Sequence, residues 1–73
     1  MGGSVYKVIE LIGSSTESWE AAAKAAVETA AQSLTDIRIA EVVEMDIRMD
    51  ENKAVEFRTK VRVSFKYHPE KVH

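Results

Sequence analysis

Two groups of side chains in this 73-residue chain could do chemistry. The first is acidic: the stretch DIRMDENKAVE holds Asp46, Asp50, Glu51 and Glu56, and Glu44 stands two residues before Asp46. Calcium and magnesium take oxygen ligands, calcium about six to eight of them. The stretch lacks the Asp, Asn and Gly positions of an EF-hand loop, so it reads first as a solvated charge run. Glu44 and Asp46 fall on one side of a strand, and carboxylates from symmetry-related copies can complete a site that one chain lacks. These two are the candidate metal ligands, for calcium or magnesium. The second group is basic: Arg58, Lys60, Arg62 and Lys66 occupy even positions of AVEFRTKVRVSFKY. Such a row can face nucleic acid, a ligand, or its own acidic neighbours.

Most other chemistry is excluded. Nucleophilic catalysis needs a nucleophile, a base in reach and an orienting group. The chain has no cysteine, and its two histidines, His68 and His73, lie in the C-terminal tail without zinc spacing. Gly13 stands alone between two elements, so there is no Gly-rich phosphate loop. The chain therefore reads as a non-enzyme. An RNA-binding sheet shows aromatics and cations on one face. Here Phe57, Phe65 and Tyr67 are odd-numbered while the cations are even-numbered, which places them on opposite faces. A net charge of −2 adds no long-range field toward DNA or an anionic membrane. No apolar run approaches the roughly 20 residues of a membrane span. The start MGGSVY has neither a charged nor an apolar signal region, and Tyr6 stands where a myristoylation pattern needs Ser or Thr. The expectation is a cytoplasmic protein with no nucleic-acid and no membrane partner.

The elements that position these groups follow from periodicity. After a leader (residues 1–3), SVYKVIELIG is rich in β-branched and large apolar residues and reads as a strand stopping at Gly13. SSTESWEAAAKAAVETAAQSL reads as a helix, with Ser14 and Glu17 in a capping-box arrangement and Ser15 an equal N-cap candidate. Trp19, Ala22, Ala23, Ala26, Val27, Ala30 and Leu34 make one buried stripe whose small residues imply close approach to a sheet. Trp19 reads as a core or interface anchor. DIRIAEVVEMDIRM (36–49) and AVEFRTKVRVSFKY (54–67) are alternating strands joined by the turn DENK, and a tail covers 68–73. Odd positions carry the apolar set on both strands, with Glu41 the charged exception.

For the apolar faces to coincide, paired numbers must sum to an even value. A sum of 104 sets Arg48 against Glu56, Asp46 against Arg58 and Glu44 against Lys60, all opposite-charge pairs; a sum of 102 sets Asp46 against Glu56. The first register is expected, and it leaves Arg62 and Lys66 without a carboxylate opposite, free for solvent, another subunit or a ligand. A chain this short buries only about 60% of its unfolded surface. With no disulfide available, self-association is the expected stabiliser.

VYKVIELIGSS, the Ala-rich helix, AEVVE and the final VRVSF together resemble the dodecins, over about Val5 to Tyr67 as one domain (4–67). The resemblance implies an α+β fold in strand-helix-strand-strand order: a three-stranded antiparallel sheet wrapped around one helix. It further implies a homododecamer, a hollow sphere that binds or stores a small ligand, with Trp19, Glu41 and Arg62 as candidate interface residues. The family's ligand is a flavin such as riboflavin or FMN, held by a stacking tryptophan and a strand glutamine. Here those positions are Ile39 and Arg58, and Arg38 beside Ile39 offers a second guanidinium plane for stacking or for a phosphate. The divalent-cation shell built on Glu44 and Asp46 is the alternative reading.

Overall fold

The computed structural model describes residues 3–67; Met1 and Gly2 of the leader, and the tail with His68 and His73, lie outside the described residues. Strand β1 (Tyr6–Ser15), helix α1 (Trp19–Ala31), strand β2 (Ile37–Asp50) and strand β3 (Lys53–Lys66) follow in the expected order. The sheet is antiparallel throughout, in the spatial order β1-β3-β2. The hairpin therefore places β3 in the centre, and the first strand returns to lie along its other edge.

Several local boundaries differ from expectation. β1 does not stop at Gly13 but keeps pairing through Gly13–Thr59, Ser14–Arg58 and Ser15–Phe57. The glycine serves the helix packing instead. A Cβ there would run into the backbone carbonyl oxygen of Ala22 and lie 3.0 Å from the Ala26 Cβ. The N-cap is Ser18, with extended φ −168° and ψ 164°, whose hydroxyl oxygen accepts a hydrogen bond of 3.0 Å from the Ala21 N–H. Ser15 accepts from the Glu17 N–H at 2.9 Å and shapes the preceding turn. The helix ends at Ala31, so Leu34 lies beyond its stripe. The hairpin turn is two residues, not four: Glu51 and Asn52 have φ of 50° and 64°, as a type I′ turn requires.

The expected register holds for Glu44–Lys60, Asp46–Arg58 and Arg48–Glu56. It does not hold along the whole strand. Irregularities between Ile37 and Ile39, Val42 and Glu44, and Arg48 and Met49 shift the pairing. Val42 consequently pairs with Val61 and Ala40 with Val63, on the helix side, while Glu41 pairs with Arg62 and Ile39 with Ser64 on the other. The odd-numbered apolar series is thus broken at the Val42–Val43 doublet, and Glu41 is an ordinary member of the charged face.

The helix lies mainly over β1 and β3. Its buried residues are Ala22, Ala26 and Ala30; Ala26 packs with Val61 and Val63 of β3, and Ile9 and Leu11 of β1 lie partly buried against them. Small side chains let the helix approach closely, but they bring little apolar area. Val42, Met45 and Ile47, on the helix side of β2, stay exposed. One chain on its own leaves this strip uncovered.

Two stability measurements follow. Gly13→Ala forces the helix away from the sheet and is expected to cost about 1–3 kcal/mol, read as a lower urea midpoint by circular dichroism. Glu51→Asn relieves the left-handed backbone at a residue poorly suited to it and is expected to add about 0.5–1 kcal/mol in the same assay.

Candidate functional site

The face of the sheet away from the helix carries the chemistry. Period-2 alternation along β3 sends Arg58, Lys60 and Arg62 to this face while Thr59, Val61 and Val63 go under the helix. Each cation meets acids on the neighbouring strands. Arg58 donates from Nε and Nη2 to the two carboxylate oxygens of Asp46 at 2.7 and 2.8 Å, a bidentate fork. Lys60 Nζ lies 3.5 Å from Glu44 Oε1, a looser pair. Arg48 Nε donates to Glu56 at 2.9 Å.

Arg62 is not free for another subunit or a ligand. Its Nη2 and Nε donate to one Glu10 oxygen at 2.9 and 3.2 Å, and its Nη1 reaches Glu41 at 3.5 Å. One guanidinium so ties all three strands together. The bulge brings Glu41 opposite Arg62, and β1 supplies Glu10, which sequence pairing within the hairpin omits. The Val42–Val43 doublet beside a misplaced Glu41 was the available signal for the bulge; no local signal marks Glu10. Lys66, the other cation left unmatched in the hairpin register, lies opposite Tyr6 of β1.

These pairs set the protonation states. The Arg58 hydrogen bonds hold the Asp46 carboxyl below its usual range, and Arg48 does the same for Glu56. Asp46 in turn holds Arg58 above its ordinary value, and Glu10 does so for Arg62. All four groups remain charged at neutral pH.

Ile12, Glu44, Asp46, Arg58 and Lys60 line a concavity of about 160 Å³ on this face. Both candidate metal ligands and one of the candidate flavin residues are thereby brought together. Ile39 lies on the same face, exposed, opposite Ser64. Arg38 occupies the irregularity between Ile37 and Ile39 and is also exposed. Trp19 lies on the other side of the sheet, where its ring meets Phe57 edge-on at 5.0 Å. Its Nε1–H donates to the backbone carbonyl of Asp46 at 3.0 Å, and its own carbonyl accepts from the Thr59 hydroxyl at 2.9 Å. Trp19 anchors the helix start to both strands of the hairpin. It lines a groove of about 280 Å³ with Glu20, Val42, Met45 and Thr59.

The residues at the flavin positions do not fit an isoalloxazine ring. An aliphatic Ile39 offers no stacking plane, and the two Arg58 nitrogens that face the sheet are taken by Asp46. Nor does one chain gather a metal shell: among the described residues, no group of three or more His, Asp or Glu could hold an ion. Also among them, no helix is long and apolar enough to cross a membrane.

One helix packed on a three-stranded antiparallel sheet, with a charge-paired face opposite, defines a small α+β fold. Residues 5–68 match the family model described as Dodecin. The chain is 50% identical over 66 residues to the calcium dodecin of Mycobacterium tuberculosis, covering 90% of this chain and 93% of that one. A crystal structure of the M. tuberculosis calcium dodecin, described as calcium chelating and as having a novel calcium-binding site, superposes with a TM-score of 0.83 at 47% identity, over 96% of this chain and 100% of that one. A dodecin from Streptomyces coelicolor shares the fold alone, with a TM-score of 0.85 at 22% identity over 93% and 97% of the two chains. The chain belongs to the dodecin family.

Riboflavin emission is expected to stay unchanged when this protein is added. The double variant Ile39→Trp/Arg58→Gln is expected to quench it, the restored aromatic stacking contributing about 1–3 kcal/mol. A fluorescence titration checks both.

Proposed function

We propose that twelve copies of this chain form a hollow shell that binds and buffers calcium, without catalysis and in the cytoplasm, and that it is not a flavin store. The observation that carries this reading is the Asp46–Arg58 fork: at the two positions where the resemblance expects flavin contacts, this chain has an aliphatic side chain, Ile39, and a matched ion pair at Arg58. The similarity to a calcium dodecin supports calcium as the ion. Glu44 and Asp46 are the proposed ligands. Both are more than half exposed on β2, an edge strand, where carboxylates of neighbouring copies can reach them. Calcium needs about six to eight oxygens, so a site shared between subunits is required.

Assembly has its own support. The uncovered strip of Val42, Met45 and Ile47 beside the Trp19 groove is the kind of surface that a second copy buries. Trp19 is the proposed interface anchor. Glu41 and Arg62 are proposed to act at the interface only through the three-strand cluster they form with Glu10.

Native mass spectrometry of gently purified protein is expected to give a twelve-subunit ion that gains calcium-sized masses. Calcium should raise the thermal midpoint and chelator should lower it, since an ion at 100 times its Kd stabilises by about 2.7 kcal/mol. A retained mass the size of a flavin would restore the storage reading. A monomer or dimer would remove the shell.

A further inference from the structure

Two grooves flank the helix, one along each edge of the sheet. On the β2 side, Trp19, Val42 and Met45 line one of about 280 Å³, and Ile47 continues the exposed apolar strip toward the hairpin turn. On the β1 side, Leu11, Gly13, Ala25, Ala26 and Thr29 line another of about 290 Å³, with no charged side chain in its wall. The two are opposite in relief. The β2 groove is bordered by large apolar side chains, Val42 and Met45, each more than half exposed. The β1 groove is walled largely by glycine, alanine and short hydroxyl residues.

The β2 edge is itself poorly suited to taking another strand. Register shifts between Ile37 and Ile39 and between Val42 and Glu44 interrupt it, and bulged edges resist added pairing. Contact through the side-chain face is left. The apolar strip covers on the order of a few hundred Å², the size that marks an interaction site on a soluble chain. A stable interface takes roughly 800 Å² from each partner, so two strips placed face to face would fall short. A two-fold contact of that kind would also bring Glu20, at the rim of the β2 groove, into the interface from both copies. A head-to-tail contact joins two different surfaces, so each copy in a closed ring buries both of its grooves.

We propose that the β2 strip of one copy docks head to tail into the β1–α1 groove of the next, with Met45 seated against Ala25 and Ala26 of that second copy. The inference rests on the assembly reading above and goes beyond it in assigning the surface that covers the strip. Methionine is unbranched and flexible, which lets it fill an irregular groove, and the small residues opposite leave it room. An open row would leave a bare strip at one end and a bare groove at the other. Closure into a ring removes both.

Thiol cross-linking of the full chain tests this, because the chain has no cysteine of its own. Met45→Cys and Ala25→Cys proteins are treated with a short bismaleimide, separately and as a co-expressed mixture, after native mass spectrometry has shown that each keeps the wild-type subunit number. Val42→Cys and Thr29→Cys replace them if either fails to assemble. The expected result is a linked pair on a denaturing gel from the mixture and none from either variant alone. The double variant Met45→Cys/Ala25→Cys is expected to link into species larger than a pair, since a head-to-tail contact propagates from copy to copy. Linking of Met45→Cys alone as efficiently as the mixture overturns the proposal in favour of a strip-to-strip contact. No linking from any combination in correctly assembled protein overturns it while leaving assembly in place. A monomeric wild type overturns the assembly reading itself.

Discussion

β3 lies between the other two strands, so the alternation along this one strand decides both faces of the sheet at once. Its odd residues from Thr59 to Phe65 go under the helix and are all buried. Its even residues Arg58, Lys60 and Arg62 are cations that reach acids on both flanks, Glu10 on β1 and Glu41, Glu44 and Asp46 on β2. If β3 were an edge strand, its cations could reach the acids of one flank only. Arg58, Lys60 and Arg62 of the basic row are thus matched within their own sheet.

The same arrangement limits what one chain can bury. The helix sits over β1 and β3, close enough that Gly13 has no room for a side chain, and its contact face is mostly alanine. Close packing and small residues go together, and both reduce the apolar area available. β2 is left half covered, with its inner side chains exposed beside Trp19. A chain of this size without cysteine has few other sources of stability, which is why the uncovered strand and the proposed assembly share one physical explanation.

Trp19 joins the two sides of the molecule. Its indole holds the backbone carbonyl of Asp46 on the helix side, while the Asp46 carboxylate points to the opposite face and engages Arg58. The strand segment that presents the candidate site is thus pinned by the helix N-terminus. Whatever fills the groove around Trp19 bears on the same three or four residues of β2 that carry the acids.

Much of this was legible from residues alone. The helix was visible in its three-and-four spacing, the hairpin in two alternating runs, and the pairs Arg48–Glu56, Asp46–Arg58 and Glu44–Lys60 in the requirement that like charges not face one another. These are short-range or symmetric constraints, and a linear pattern contains them. The N-cap at Ser18, rather than Ser14 or Ser15, depended on where β1 ended, and β1 ended late because β3 was there to pair with it through Ser15. The bulge at Val42–Val43 sets Val42 against Val61 and Ala40 against Val63 while Glu41 meets Arg62. The Glu10–Arg62 pair spans 52 positions of sequence and exists only because the sheet brings β1 beside β3. The chain's composition and periodicity thus determined its elements and the hairpin's charge register; only tertiary packing decided where each element stopped, which face Glu41 and Ile39 joined, and which acid took Arg62, because those depend on contacts between segments that no local spacing records.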